Sequence, residues 1–158
     1  MTYNALRKGR VSFAGQVYLI TTVTAQRRRF FESLYVARMV VTTLRAQDLS
    51  GATTTLAFVV MPDHVHWLLE LAAGMTLPRV MKQLKGVTAQ RINARLARTG
   101  PVWQPSFHDH ALRTDECVAT AARYVIMNPV RSALVASAGD YPHWDSVWSA
   151  AELGLMCD

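Results

Sequence analysis

The chain has 158 residues, 51% of them hydrophobic, and carries a net charge of +6 with two cysteines. No apolar run approaches the roughly 20 residues that span a bilayer, and the start, MTYNALRKGRVSF, lacks the unbroken apolar core of a secretory signal, so a cytoplasmic protein is expected. Cys117 and Cys157 lie far apart and outside any CxxC spacing, which excludes a disulfide framework and a cysteine zinc site.

Length and apolar content predict one domain, 1–158, that hides roughly 70% of its unfolded surface. In chain order, VYLITTVT from Val17 to Thr24 is β-branched and aromatic and predicts a strand. Leu34, Ala37, Val40, Val41 and Leu44 then recur at the spacing of a helix with one buried face. TTTLAFVVM, Thr53 to Met61, predicts a second strand, and Pro62-Asp63 turns the chain directly into a third, His64 to Leu71. Leu77, Val80, Met81, Leu84, Val87 and Leu96 follow a helical stripe whose other side is basic. Gly100-Pro101 stops that helix, and VWQPSFHDHAL continues in an extended form. Thr114 or Asp115 is expected to cap a further helix that meets Pro129, and the tail GDYPHWDSVW reads as irregular. The order βαββαβα, with one tight hairpin, predicts a ferredoxin-like α+β sandwich: a central antiparallel sheet with helices packed on one side.

Two constellations carry chemistry. In MPDHVHWLLEL, residues two apart on a strand share a face, so His64 and His66 are presented together with Leu68 and Glu70, while Val65 and Trp67 turn away. Such a pair either holds a divalent ion or is a structural pair of half-buried imidazoles; Glu70 reads as a solvated strand end. In ARYVIMNPVRSALV, Tyr124 and Asn128 are four apart, and a helix would set phenol and carboxamide on one face. The alternative makes Tyr124 a packing residue and Asn128 the helix end before a proline.

MPDHVHWLLEL, followed about fifty residues later by YVIMNPVRSALV, resembles the single-tyrosine HUH transposases, and more particularly the REP-associated tyrosine transposases. The likeness extends through GQVYLITTVTAQRRRFF, LPRVMKQLKGVTAQRINAR, VWQPSFHDHALR and GDYPHW. The resemblance implies an HUH nuclease fold, with His64 and His66 as metal ligands, Asn128 as the third, Mg or Mn as the ion, and Tyr124 as nucleophile. Related insertion-sequence transposases more often carry Gln where Asn128 stands; the shorter amide can still offer its oxygen to a hard cation. The reaction implied is transesterification to a 5′-phosphotyrosine and a free 3′-hydroxyl on a palindrome folded as a hairpin, with no need for ATP.

Charge by itself favours a polyanionic partner. The basic residues cluster in Arg7-Lys8-Gly9-Arg10, in Arg27, Arg28 and Arg29, and along Lys82 to Arg98. Arg27, Arg28, Arg29, Lys82, Lys85, Arg91 and Arg95 are candidates to grip DNA phosphates, Arg131 to reach the scissile region, and Trp103 to stack an unpaired base. A solvated basic surface is the alternative. His108 and His110 also share a strand face and are read as structural or DNA-positioning. The expected protein is thus a cytoplasmic, nucleoid-associated, metal-dependent single-strand endonuclease and strand transferase, acting as a monomer or homodimer. The competing readings are a protein that binds palindromic hairpins without cutting them and, with least support, an HxH zinc hydrolase.

Overall fold

Concentrated β-branched and aromatic side chains form the three long strands where they are expected. A computed structural model describes residues 15–154; the Arg7-Lys8-Gly9-Arg10 cluster and Cys157 lie outside them. β1 (Val17–Val23), β2 (Thr53–Met61) and β3 (His64–Leu71) are joined at the edges by β4 (His108–Ala111) and β5 (Trp144–Ser146). The five strands run in the order β4-β1-β3-β2-β5, and every pairing is antiparallel. β5 arises within the aromatic tail expected to be irregular, where three residues pair with Ala57, Phe58 and Val59 of β2.

α1 (Leu34–Leu49) and α2 (Leu77–Arg95) start at Ser33 and Thr76, whose hydroxyls accept from the backbone N–H of Val36 and Arg79. Both pack on the sheet face that carries Tyr18, Ile20, Val65, Trp67 and Leu69. This half of the molecule is the expected sandwich. The other face is covered too: α3 (Val118–Ile126) packs against Ala57, Val59, Met61 and Leu68. Helices therefore lie on both sides of the sheet, because β2 and β3 are apolar on both. Val59, Met61 and Leu68 are as buried as Val60 and Val65, and a strand apolar on both faces needs two covers. No helix among the described residues is long and apolar enough to cross a membrane.

The cap of α3 is Cys117 rather than Thr114 or Asp115. Residues 113–116 instead close a turn, with Arg113 N–H donating to Glu116 Oε1 and Glu116 N–H to Arg113 O, both at 3.0 Å. Pro129 does not end the helical path. It occupies the first turn of a short α4 (Asn128–Arg131), where a missing N–H costs nothing.

Trp103, expected to stack on a base, is corrected to a core residue. It is 6% exposed, its ring centroid lies 5.4 Å from that of Phe31, and its Nε1 donates to Thr88 Oγ1 at 2.9 Å. Burial of the ring with its one donor satisfied is how an indole stabilises an interior. Trp103→Ala is expected to cost about 3–5 kcal/mol, seen as a lower urea midpoint at unchanged slope. A midpoint within error of the unsubstituted protein would show that the indole does not anchor this part of the core.

Candidate active site

The site begins at the β2–β3 hairpin. Thr24, just past β1, fixes its tip: the Thr24 N–H donates to Asp63 O at 2.9 Å, and its hydroxyl, which lies 3.0 Å from the same oxygen, donates to Arg28 O at 2.7 Å. From this anchored turn β3 runs with His64 and His66 on the face opposite Val65 and Trp67, as strand alternation requires. Their ring centroids are 4.9 Å apart and the planes nearly perpendicular, at 85°. Glu70 is exposed at the far end of the strand, as its place in the sequence suggested.

Each imidazole has its Nδ1 engaged. His64 Nδ1 lies 2.7 Å from Asp63 Oδ1. An ionised carboxylate can only accept, so His64 donates from Nδ1 and Nε2 keeps its lone pair in the neutral ring. Asp63 is held in that state: burial pushes its pKa up, but the hydrogen bond and charge of His64, aided by Arg27, outweigh burial and keep it below the usual carboxylate range. Arg27 Nη1 donates to Asp63 Oδ2 at 3.3 Å. His66 Nδ1 lies 2.8 Å from Thr21 Oγ1, its cross-strand neighbour on β1. With the proton on Nδ1 and the hydroxyl accepting, Nε2 of His66 is free as well. Asp63 and Thr21 were not legible as site residues; adjacency to His64 hints at the first, but only strand register reveals the second.

His66 is nearly buried, and its pKa falls to about 4. Desolvation is the main cause, followed by the charges of His64 and Arg131. Well above pH 4 the ring is thus neutral, the form in which imidazole binds metal.

α3 brings Tyr124 to the same place. Its ring centroid is 6.4 Å from that of His66, at 70°, and the side chain is 51% exposed, open to a substrate from solvent. Arg131, on α4, folds back over it: Cζ is 3.9 Å from the ring centroid, and Nη2 donates to Tyr124 O at 2.6 Å. Phenol, guanidinium and His66 therefore form one cluster across the sheet and its third helix. Asn128, the first residue of α4, is 8% exposed, and its Oδ1 accepts from Ser132 Oγ at 3.2 Å. Among the described residues no three or more His, Cys, Asp and Glu side chains group so as to hold a metal ion. The two imidazole Nε2 atoms are the nitrogen donors this face could offer a cation, and oxygen ligands would have to complete any coordination sphere.

The basic candidates divide by location. Arg27, Arg28 and Arg29 follow β1 beside the hairpin tip; Arg27 supports Asp63, Arg29 pairs with Glu32, and Arg28 is exposed. Lys82, Lys85, Arg91 and Arg95 belong to α2, across the sheet from the histidines, so the structure does not gather them with Tyr124. Lys85 Nζ donates to the carbonyls of Gln104 and Ser106, both at 2.8 Å, and so pins the segment before β4. Arg95 covers the ring of Tyr35, and Arg91 donates to Thr42, which ties both to α1. Lys82 is exposed. His110 is taken up by Glu116, whose two oxygens lie 3.0 and 2.9 Å from its Nε2.

Fold and site together define a small α+β protein with a His-x-His pair on an antiparallel sheet and a solvent-facing tyrosine beside it. The family model described as "Transposase IS200 like" matches residues 12–128, and the chain belongs to that family. A Haemophilus influenzae protein named "Putative REP-associated tyrosine transposase" is 26% identical over 105 residues, which is 56% of this chain and 56% of that protein. The chain therefore matches about half the length of this relative. Among solved structures, a REP-associated tyrosine transposase bound to a REP hairpin superposes with a TM-score of 0.68 at 21% identity, covering 85% of this chain and 79% of that one. A "putative transposase" from Deinococcus radiodurans superposes with a TM-score of 0.54 at 26% identity, covering 68% and 86%. The resemblance drawn from the two motifs is matched in all three comparisons.

Proposed function

We propose that this transposase-family chain is a metal-dependent single-strand DNA endonuclease and transesterase that cuts and rejoins REP-type hairpins, with Tyr124 as nucleophile. The observation that carries this reading is the packing of an exposed tyrosine against a pair of imidazoles whose Nδ1 atoms are both occupied. The imidazole pair fits a divalent ion, Mg or Mn, held by His64 and His66; the family likeness, rather than a contact in the fold, makes Asn128 the third protein ligand. When bound, the ion supplies positive charge that makes an anionic phosphate a better electrophile.

The chain's own residues do the rest. Tyr124 Oη attacks phosphorus, the bond from phosphorus to the 3′-oxygen breaks, and a 5′-phosphotyrosine forms; the phenolic proton leaves and the 3′-oxygen gains one. One phosphodiester is exchanged for another, so a 3′-hydroxyl can reverse the step without ATP. Arg131, stacked on the phenol, restrains the ring and sets a cation beside the incoming phosphate. Arg27, Arg28 and Arg29 extend that positive surface along the hairpin tip, while the α2 residues Lys82, Arg91 and Arg95 could meet only a more distant part of a folded DNA.

Purified protein with Mn or Mg and a 5′-flanked, end-labelled hairpin is expected to give a shortened label and a covalent protein–DNA band. A gel shift with full-length label at every metal concentration would instead establish the non-cleaving binder. Asp63 supplies a second test. Asp63→Asn removes the obligate acceptor that sets the His64 tautomer, and metal affinity measured calorimetrically is expected to fall about 10–100-fold. Unchanged affinity would mean that the carboxylate has no part in orienting the imidazole.

A further inference from the structure

Tyr124 has two neighbourhoods: one is His66, the other a groove of about 390 Å³ between β1, β4 and the start of α3. Its floor is Leu19, Leu112 and Ala121, and its rim is His110, Glu116 and Thr120. The volume falls within the roughly 300–1,000 Å³ that small organic ligands occupy, and an apolar floor with a few polar groups at the rim is the usual make-up of such sites.

We infer that this groove receives the unpaired nucleobase next to the phosphate attacked by Tyr124, and that Glu116 selects bases bearing an exocyclic amino group. The inference rests on the proposed reading of Tyr124. Once a phosphate sits at the phenol, the adjoining nucleotide must lie along one of the walls that Tyr124 forms, and the groove is the wall away from the histidines. Glu116 decides what can enter. Its carboxylate takes Nε2 of His110 and the Arg113 N–H, with the Arg113 Nε 3.3 Å away. Backbone donation from Arg113, followed by the His110 hydrogen bond, holds it below the ordinary carboxylate range. An ionised carboxylate offers acceptors and no donor, so a base edge that donates matches it where a phosphate oxygen cannot. Oε2 is bonded only to His110 among these partners and retains acceptor capacity, which an amino group of cytosine, adenine or guanine can fill. Thymine places a carbonyl oxygen where the amino group of cytosine or adenine would stand, and loses that hydrogen bond.

The test uses the full chain and hairpins whose unpaired flank carries 2-aminopurine at one position at a time. One position is expected to change fluorescence on binding, and Ala121→Phe, which fills the groove, abolishes that change. At that position, replacing the amino-bearing base with thymine is expected to slow cleavage roughly tenfold, and Glu116→Gln to erase most of that preference. Equal slowing of all four bases by Glu116→Gln would reduce Glu116 to a structural role, and a flank with no responsive position would eliminate the base site. A wild-type protein that never forms a covalent adduct yet retains the responsive position would defeat the cleavage reading and leave the base pocket standing.

Discussion

Tyr124→Phe is expected to abolish covalent attachment to the 5′ end of a cut hairpin, a loss of roughly 10⁴-fold or more in strand cleavage, with hairpin affinity nearly unchanged. The size follows from what is removed. The ring and its stacking with Arg131 remain, so the local structure is kept; only the oxygen that forms the new phosphoester is lost. Since Tyr124 is half exposed, deleting its hydroxyl strands no buried partner and should leave thermal stability within about 0.5 kcal/mol. A covalent band persisting in this variant would move the nucleophile elsewhere and leave the His66–Tyr124 contact as packing.

Acid should act on the protein through His66. Its pKa is about 4 in the fold against 6.5 for the ordinary imidazole, so the unfolded chain binds the extra proton first. The stabilising contribution of the neutral ring is whole above pH 6.5 and drains away as pH falls towards about 4, for a total on the order of 3 kcal/mol. Denaturant midpoints should therefore fall across that window, and His66→Gln should flatten the fall while removing one proposed metal donor. His143, whose pKa is lowered mainly by burial, acts in the same direction, so the comparison is between the two profiles rather than with a flat line. Parallel profiles for variant and parent would show that His66 is not buried neutral. In the same variant, loss of Mn binding together with cleavage is expected, whereas retention of both would remove His66 from the site.

The particular elements show where sequence was sufficient. The bounds of β2 and β3 match the expected runs because β-branched residues, ended by Pro62-Asp63, leave the chain few other local choices. That two histidines share a face followed from strand alternation alone. The helix that carries Tyr124 ends at Ile126, and Asn128 opens the next one, whose first turn accommodates Pro129.

Other features depended on contacts remote in sequence. Trp103 and Lys85 looked like surface for DNA, yet one is buried against Phe31 and the other pins the carbonyls of 104 and 106; composition cannot tell a working indole or lysine from a packed one. β5 is only three residues long and exists because β2 had an unpaired edge.

The sequence by itself determined the three long strands, the shared face of His64 and His66, and the family whose motifs these residues carry. Only the tertiary structure decided that α3 crosses the second face of the sheet, carrying Tyr124 onto His66 and setting Thr21, Asp63 and Arg131 around them. The physical reason is that local propensity and alternation act over a few residues, whereas which helix covers which face is settled by burying apolar surface left over on β2 and β3.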